Sequence, residues 1–346
     1  MLGITDRARL AVTARGGTPV PDHRARDPPP EATMTAARSP ERTTPERSER
    51  NPAGLAAGVG AYVLWGLFPA FWPLLDPAAP LEVLAHRVLW TAVLMAVVLT
   101  VLRGWGDVRG LGLRRWLATA AAAVFIAVNW GLFIWGVSVG LVVESALGYY
   151  MTPLVGVLFG VLVLRERLRP AQWVALGLAA TAVVVIAVGN DTVPWLSMAL
   201  ACSFGIYGLF KATAPLPAAA GLTAEGLVLV VPAAVFLVVL ALTGGGTFTG
   251  HGPWHLLLML SAGPATALPL LLYGAAARRL PLTTLGVLLY VNPTLQFLWG
   301  VLVVGQPMAP ARWAGFALVW LALVVFTVDL LRRRRPPAAQ PTRSTV

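Results

Sequence analysis

The chain has 346 residues, of which 57% are hydrophobic and only 12% are charged. Because a soluble domain carries about 25% charged residues, this composition leaves too little polar surface for a globule in water. The formal net charge of +11 does not indicate nucleic acid, because the basic residues lie in short connections and tails rather than in one patch. The single cysteine, Cys202, excludes a disulfide within the chain and a multi-cysteine metal site.

Apolar stretches fill the middle of the chain. Residues 1–53 are rich in Arg, Pro, Ser, Thr and Glu without apolar periodicity, which predicts a disordered tail. Stretches long enough to cross a hydrocarbon core of about 30 Å follow, and the Arg- and Pro-rich segment 332–346 is predicted to be a second tail. The ten predicted spans are 54–75, 82–102, 115–137, 142–164, 171–189, 194–211, 224–243, 254–276, 285–304 and 311–331.

The positions of the basic residues predict the orientation of these spans. If both tails face the cytoplasm, all of the 26 Lys and Arg residues except Arg87 and Arg312 lie in the tails or in cytoplasmic loops. This is the asymmetry that the positive-inside rule requires of short loops. We therefore expect a multi-pass protein of the inner (cytoplasmic) membrane with both termini in the cytoplasm.

The two halves of the chain repeat one pattern. Tyr150, Pro153, Gly160 and Trp173 match Tyr290, Pro293, Gly300 and Trp313 at constant spacing. The pattern predicts two five-helix units, 54–190 and 191–331. Because five is an odd number, the second unit enters the membrane from the opposite side. Inverted repeats are typical of secondary transporters, which bind substrate between the two units near the midplane of the bilayer.

Several motifs of rarer residue types run through both halves. They include Ala61-Tyr62-Val63-Leu64-Trp65-Gly66, His86-Arg87, Asn129-Trp130, Leu147-Gly148-Tyr149-Tyr150, Arg278-Arg279-Leu280-Pro281-Leu282 and Pro293-Thr294-Leu295-Gln296-Phe297. Over residues 54–331 the chain resembles the RarD (chloramphenicol-sensitivity) permeases, in the EamA branch of the drug/metabolite transporter superfamily. The resemblance implies an all-α membrane fold of ten helices in two inverted five-helix repeats. Gln306 stands where that family usually carries Glu, whereas the first-half Glu166 is kept.

An ionisable side chain inside a membrane span is costly and therefore a candidate for function. Arg87, with His86 beside it, lies within the second predicted span. We hypothesise that Arg87, paired with Glu144 or Glu82, binds an anionic or carbonyl-bearing group, and we predict that His86 and Glu144 also belong to the substrate-binding residues. The alternative is a purely structural ion pair between the second and fourth spans. Glu225 is interpreted as an acid at the start of the seventh span, where the helix dipole favours it.

Two prolines and a set of aromatic and amide side chains are the remaining site candidates. Pro153 and Pro293 lie near the middle of the fourth and ninth spans, where each removes a backbone hydrogen bond and is predicted to break its helix or act as a hinge. The predicted lining of a substrate cavity between the halves is Tyr62, Trp65, Asn129, Trp130, Tyr149, Tyr150, Phe204, Tyr207, Tyr273, Tyr290, Asn292 and Gln296. For each aromatic residue, packing or an interfacial position is the alternative.

Other patterns carry less information. The G-x-S-x-G sequence at 136–140 lies in a predicted turn between spans rather than in a strand–turn–helix, which argues against a hydrolase site. His251 and His255 are too few for a metal site, so we expect neither a metal nor a cofactor. Gly54-x-x-x-Gly58 and Gly156-x-x-x-Gly160 permit close helix contacts, either within the bundle or in a homodimer.

The sequence therefore predicts a secondary transporter of a small organic metabolite or drug that works by alternating access between its halves. Its expected partners are the small-molecule substrate and the lipid bilayer, and nucleic acid is not among them. A lipid or lipid-linked-sugar flippase of the same fold is one alternative. A membrane-embedded enzyme is the other, and it is less favoured because the chain shows no nucleophile–base pair on neighbouring spans.

Overall fold

The helices of the described chain account for the whole predicted membrane region. The computed structural model describes residues 51–164, 167–189 and 191–332, with Leu164, Leu282 and Arg332 described by their backbone alone. Glu166 and nearly all of both predicted tails lie outside the described residues. The elements in chain order are α1 (Pro52–Gly66), α2 (Phe68–Phe71), a 3₁₀ turn (Trp72–Leu75), α3 (Pro80–Val101), α4 (Trp105–Arg109), α5 (Leu113–Ser138), α6 (Val142–Leu164), α7 (Pro170–Gly189), α8 (Trp195–Thr213), α9 (Ala218–Leu242), α10 (Gly252–Ala277), α11 (Leu282–Leu288), α12 (Val291–Leu298), a π-helical turn (Trp299–Val303) and α13 (Pro310–Arg332).

The order of these elements agrees with the ten predicted spans. Among the described residues, nine helical segments are long and apolar enough to cross a membrane, and α1 with the following stretch 68–75, bent by 45°, makes ten if the pair is counted as one span. Within the described residues there is no β-strand. The all-α membrane fold is therefore confirmed, whereas the inverted relation of the two five-helix units, 54–190 and 191–331, stays a prediction.

Proline and asparagine mark where several helices begin. Pro52, Pro80, Pro170 and Pro310 are the first residues of α1, α3, α7 and α13. Proline is favoured at this position because its missing N–H would have no partner inside the helix. At α1 the side-chain oxygen of Asn51 also accepts a hydrogen bond of 2.9 Å from the backbone N–H of Gly54.

The two repeat-related prolines have different effects. Helix α6 runs without interruption through Pro153, so the break that the sequence predicts there is not present. The ninth span is interrupted between α11 and α12, and Pro293 is the third residue of α12. In the first turn of a helix a proline costs little, because the N–H it lacks would be unpaired anyway. The role of either proline as a hinge stays a prediction.

Glycines set the closest helix contacts. A Cβ added at Gly263 of α10 would lie 2.6 Å from the backbone carbonyl carbon of Trp90, so α10 and α3 touch through their backbones. Gly54 and Gly58 of α1 likewise face residues 276–288 inside the bundle. A Cβ at Gly156 would meet no atom within 4 Å, which leaves that face of α6 open.

Candidate functional site

Helix α3 carries an arginine into the interior of the bundle. Arg87 follows Pro80 by seven residues, about 10 Å along the helix axis. It is 2% exposed. Its guanidinium carbon lies 4.0 Å from the ring centre of Trp130, 5.0 Å from that of Trp72 and 5.4 Å from that of Phe68. We call these four residues the Arg87 cage, in which three aromatic faces offset part of the cost of the buried charge.

The guanidinium lacks the counter-ion that the sequence predicts. Its Nε and Nη1 atoms are buried and have no hydrogen-bond partner in the described part of the chain. The ion pairs that the described residues form are Arg169–Asp329 and Lys211–Glu225. The predicted pairing of Arg87 with Glu82 or Glu144 is therefore wrong for this structure.

Both acids bind backbone N–H groups instead. Glu82 precedes Arg87 by five residues, which turns the two side chains about 140° apart around α3. Its Oε1 accepts a hydrogen bond of 2.6 Å from the backbone N–H of Thr247. The Oε1 of Glu144 accepts one of 3.3 Å from the N–H of Leu196, at the start of α8. Each acid thus satisfies a donor that would otherwise be unpaired, and neither pairs with Arg87 in the described residues.

The connection between α9 and α10, residues 243–251, closes over the beginning of α3. We call it the 243–251 loop. The ring of Phe248 stacks on that of His86, with 4.5 Å between their centres, and His86 Nδ1 accepts a hydrogen bond of 3.1 Å from Trp90 Nε1. Thr247 contributes its backbone N–H to Glu82, and its hydroxyl lies 3.1 Å from His255 Nε2. His86, predicted to bind substrate, therefore contacts this loop.

Asn129 has its polar atoms occupied by the protein. Its Nδ2 donates to the carbonyl of Leu200 at 2.9 Å and to the hydroxyl of Ser203 at 3.1 Å. Its Oδ1 accepts from the hydroxyl of Tyr149 at 3.1 Å. The side chain is 1% exposed and connects α5 with α6 and α8. These contacts favour a structural role, while Trp130, the next residue, belongs to the Arg87 cage.

A second cluster of candidate residues, made of aromatic and amide side chains, lies where α1, α10 and α12 meet. The rings of Tyr62, Trp65 and Tyr273 form a triangle with centres 5.4 to 6.0 Å apart. Gln296 Nε2 donates to Asn292 Oδ1 at 2.8 Å, and Gln296 Oε1 is buried with no partner among the described residues. The structure therefore brings these five predicted residues into one neighbourhood.

The remaining predicted tyrosines lie apart from these groups. The hydroxyl of Tyr150 lies 2.7 Å from that of Thr294, which joins α6 to α12 within three residues of each proline. The hydroxyl of Tyr290 lies 3.4 Å from that of Thr327. Tyr207 stacks against Lys211, which pairs with Glu225 beside a small cavity near the ends of α8 and α9.

Glu225 is not at a helix terminus. Helix α9 begins at Ala218, six residues before the predicted start of the seventh span, so Glu225 lies two turns inside it. The helix-dipole interpretation of this acid is therefore wrong, and its partner is Lys211 of α8.

Sequence reasoning missed two of the cage residues and the loop residue that stacks on His86. Phe68, Trp72 and Phe248 were not among the predicted site residues. The signal for the first two was available, because aromatic residues four positions apart near the end of the first predicted span lie on one face of a helical stretch. The position of Phe248 depends on the path of the 243–251 loop, which has no periodic pattern.

Comparisons with known proteins show the family of the chain. Residues 52–188 match the EamA-like transporter family. A relative named "Protein RarD" from Streptomyces exfoliatus is 49% identical and aligns over 84% of this chain and 94% of its own length. The "Uncharacterized transporter YojE" of Bacillus subtilis is 39% identical over 80% of this chain and 93% of its own. "Protein RarD" of Escherichia coli is 35% identical over 82% and 96%.

A solved crystal structure shares the fold. It is 18% identical, covers 82% of this chain and 99% of its own, and has a TM-score of 0.53. A bundle of ten spans with a buried arginine, in a chain whose relatives are named as transporters, defines a multi-pass membrane transporter rather than an enzyme. The chain belongs to the RarD family, within the EamA branch of the drug/metabolite transporter superfamily.

Proposed function

We propose that this protein is a secondary-active transporter of a small organic metabolite or drug, working by alternating access between its two halves. The observation that carries the proposal is Arg87, a cation buried in a membrane-spanning bundle without a counter-ion among the described residues. A charge in the middle of a membrane span costs about 2.5–3.5 kcal/mol on insertion scales. Buried N–H groups without partners add to this cost, so a role in binding explains the residue better than stability does.

Polar contacts between the two halves support alternating access. At the end predicted to face outward, Glu82 holds the 243–251 loop, and the side-chain oxygen of Gln306 accepts a hydrogen bond of 2.7 Å from the N–H of Val143. At the end predicted to be cytoplasmic, Arg169 pairs with Asp329 at 3.0 Å. To open one end while the other stays closed, the protein has to break only the contacts at the end that opens. The Arg87 cage lies between these two ends of the bundle, on the side of α3 that faces the bundle interior.

The predicted cavity residues belong to this proposal in different ways. Arg87 and Gln296 have buried polar atoms without a partner in the described residues, and with Trp130 and the Tyr62–Trp65–Tyr273 triangle they stay our candidates for substrate contact. The predicted location, the inner membrane with both termini cytoplasmic, is also part of the proposal. The names of the relatives give no support to the flippase alternative.

Counterflow in sealed vesicles tests the proposal. The purified full chain is reconstituted in proteoliposomes and offered a panel of labelled metabolites. Chloramphenicol is included, because a Pseudomonas aeruginosa relative of 30% identity is named "Chloramphenicol-sensitive protein RarD". We expect saturable uptake of at least one solute, which is accelerated by the same solute inside the vesicles. Repeating the assay with an imposed pH gradient tests for proton coupling.

A matched pair of variants connects the flux to the site. Arg87→Gln removes the buried charge, whereas Arg279→Gln removes an exposed one at the end of α10. We expect only the first to abolish counterflow while insertion of both variants stays normal. Uptake that never saturates and ignores solute on the opposite side contradicts alternating access.

A further inference from the structure

We propose that the Arg87 cage binds the carboxylate of a small apolar monocarboxylic acid, which gives the substrate class of the transporter proposed above and rests on that proposal. The cage consists of Arg87 with the rings of Phe68, Trp72 and Trp130. Four properties of the cage lead to this class of ligand: its hydrogen-bonding groups, its charge, its walls and the partners of the neighbouring acids.

The hydrogen-bonding groups of the cage are donors only. Arg87 Nε, Arg87 Nη1 and Trp72 Nε1 are buried, and none of them has a partner in the described residues. Guanidinium and indole N–H groups donate and cannot accept. The missing partner is therefore an acceptor. An ionised oxygen is the strongest acceptor available, because hydrogen bonds between charged groups are about twice as strong as neutral ones.

The cage carries one positive charge. Over the described ranges, the other cations that form ion pairs are Lys211 and Arg169, and their partners are Glu225 and Asp329. A monoanion neutralises Arg87 completely. A phosphate monoester, with a charge of about −1.5 to −2, would leave excess negative charge in a medium of low dielectric constant. A neutral amide would satisfy the donors but leave the charge of Arg87 uncompensated.

The surroundings of the cage are apolar. Phe68 and Trp72 belong to a buried cluster that includes Val83 and Phe133, and Tyr149 packs against the same cluster. The part of the ligand beyond its carboxylate therefore contacts rings and aliphatic groups, which favours an aromatic or aliphatic body.

The same surroundings disfavour an amino acid. An ammonium group next to the carboxylate would need an acceptor, and the two acids that the sequence predicts as partners of Arg87, Glu82 and Glu144, bind the backbone N–H groups of Thr247 and Leu196 instead. An ammonium without an acceptor in this interior would be expensive. The proposed ligand is thus a plain monocarboxylate.

Entry of the ligand requires an opening movement. Arg87 is only 2% exposed, and the 243–251 loop covers the start of α3 through the contact of Phe248 with His86. Binding therefore occurs in a state that differs from the one described, as a transporter that alternates between open states requires.

Thermal unfolding of the purified full chain in detergent tests the ligand class. Benzoate and octanoate are the carboxylate probes; benzamide, phenyl phosphate and phenylalanine are the controls, all at equal ionic strength. A ligand that binds the folded state raises the unfolding midpoint in proportion to the logarithm of its concentration above the dissociation constant. We expect such a rise with benzoate or octanoate, and at least tenfold weaker binding of each control.

Three variants locate the binding site. Arg87→Gln should abolish the shift, and Trp72→Phe, which removes one N–H but keeps a ring, should weaken carboxylate binding about tenfold. The matched control is Trp299→Phe, on another tryptophan that packs against the same apolar cluster, and it should leave the affinity unchanged. If Arg87→Gln does not fold, the comparison of Trp72→Phe with Trp299→Phe decides.

The proposal is overturned if neither carboxylate shifts the midpoint, if benzamide binds as tightly as benzoate, or if Trp72→Phe binds as the unmodified chain does. Counterflow of neutral solutes without carboxylate binding would overturn this ligand class and leave the proposed transport intact. Tight carboxylate binding without any counterflow would contradict the proposed transport and leave the binding site intact.

Discussion

Lys211 on α8 and Glu225 on α9 form an ion pair in which Nζ lies 2.5 Å from Oε1. The carboxylate side chain is 6% exposed and the lysine 33%, and the ring of Tyr207 lies 5.2 Å from the ammonium. This pair joins two helices of the second half at the end that is predicted to face the cytoplasm. Because a buried charge without its partner is far more costly than a complete pair, each residue depends on the other.

Removing one member of this pair should destabilise the protein more than removing both. Glu225→Leu leaves a lysine uncompensated and should cost about 1–3 kcal/mol, less than for a fully buried pair because Lys211 is partly exposed. The double variant Lys211→Met with Glu225→Leu should recover most of this loss. The free energy of unfolding, measured by titration with a denaturing detergent, checks both expectations. Additive losses in the double variant would show that the pair is not coupled.

Gln306 links the second half to the start of α6 through both ends of its amide. Its oxygen accepts from the N–H of Val143 at 2.7 Å, and its Nε2 donates to the carbonyl of Gly140. Gln306→Leu leaves both backbone groups without a partner and should cost about 2–4 kcal/mol. Gln306→Glu should cost less than Gln306→Leu, because a carboxylate loses the bond to Gly140 but still accepts from Val143 and is favoured at a helix N-terminus.

The same unfolding titration measures these two variants. Gln172→Leu is the control, because its side-chain oxygen accepts a single hydrogen bond, from the backbone N–H of Arg169. It should cost less than Gln306→Leu. Equal losses for Glu and Leu at position 306 would contradict the importance of the bond to Val143.

The membrane spans were predictable from the sequence, because long apolar stretches indicate the helices that cross the membrane and the basic residues indicate the cytoplasmic loops between them. The start of α9 was not, because the small residues from Ala218 to Gly221 are weakly hydrophobic and give no clear signal for the start of a span. The partner of Glu225 was missed for the same reason. Helix boundaries thus become uncertain where Gly and Ala replace large apolar residues.

The central residue of the candidate site, Arg87, was predictable from the sequence, but the residues that contact it were not. A charge in an apolar stretch identified Arg87, but its partners depend on which way each side chain points around α3. Glu82 is close in sequence and turned away in space, while Trp72 and Phe68 come from another element. The backbone N–H groups that bind the acids belong to segments whose paths no periodic pattern determines.

The contact of α10 with α3 should tolerate no side chain at Gly263. The added Cβ of Gly263→Ala would lie 2.6 to 2.7 Å from the backbone of Trp90, so the two helices must separate. We expect a loss of about 1–3 kcal/mol, the range for overpacked interiors. Gly156→Ala is the matched control, because a Cβ there meets no atom within 4 Å and alanine favours the helix by about 0.5–1 kcal/mol.

The free energy of unfolding of the two glycine variants, measured in detergent, separates the cost of overpacking at Gly263 from the effect of helix propensity at Gly156. A stable Gly263→Ala protein would show that α3 and α10 do not touch as described. Gly156→Ala should be as stable as the unmodified chain or slightly more so. If Gly156→Ala instead shifted the protein from a dimer to a monomer in light scattering, the open face of α6 would be the contact between protomers.

The orientation of the bundle determines which polar contacts close the outer end. In a Cys202→Ala background, Thr249→Cys places a thiol in the 243–251 loop and Asp107→Cys places one in the short helix α4, both on exposed residues. The positive-inside rule predicts that Thr249 faces outward and Asp107 faces the cytoplasm. A membrane-impermeant maleimide should therefore label only the first in intact cells and both after permeabilisation. The reverse pattern would place the Glu82–Thr247 contact at the cytoplasmic end, and the 243–251 loop would then close the inner rather than the outer entrance to Arg87.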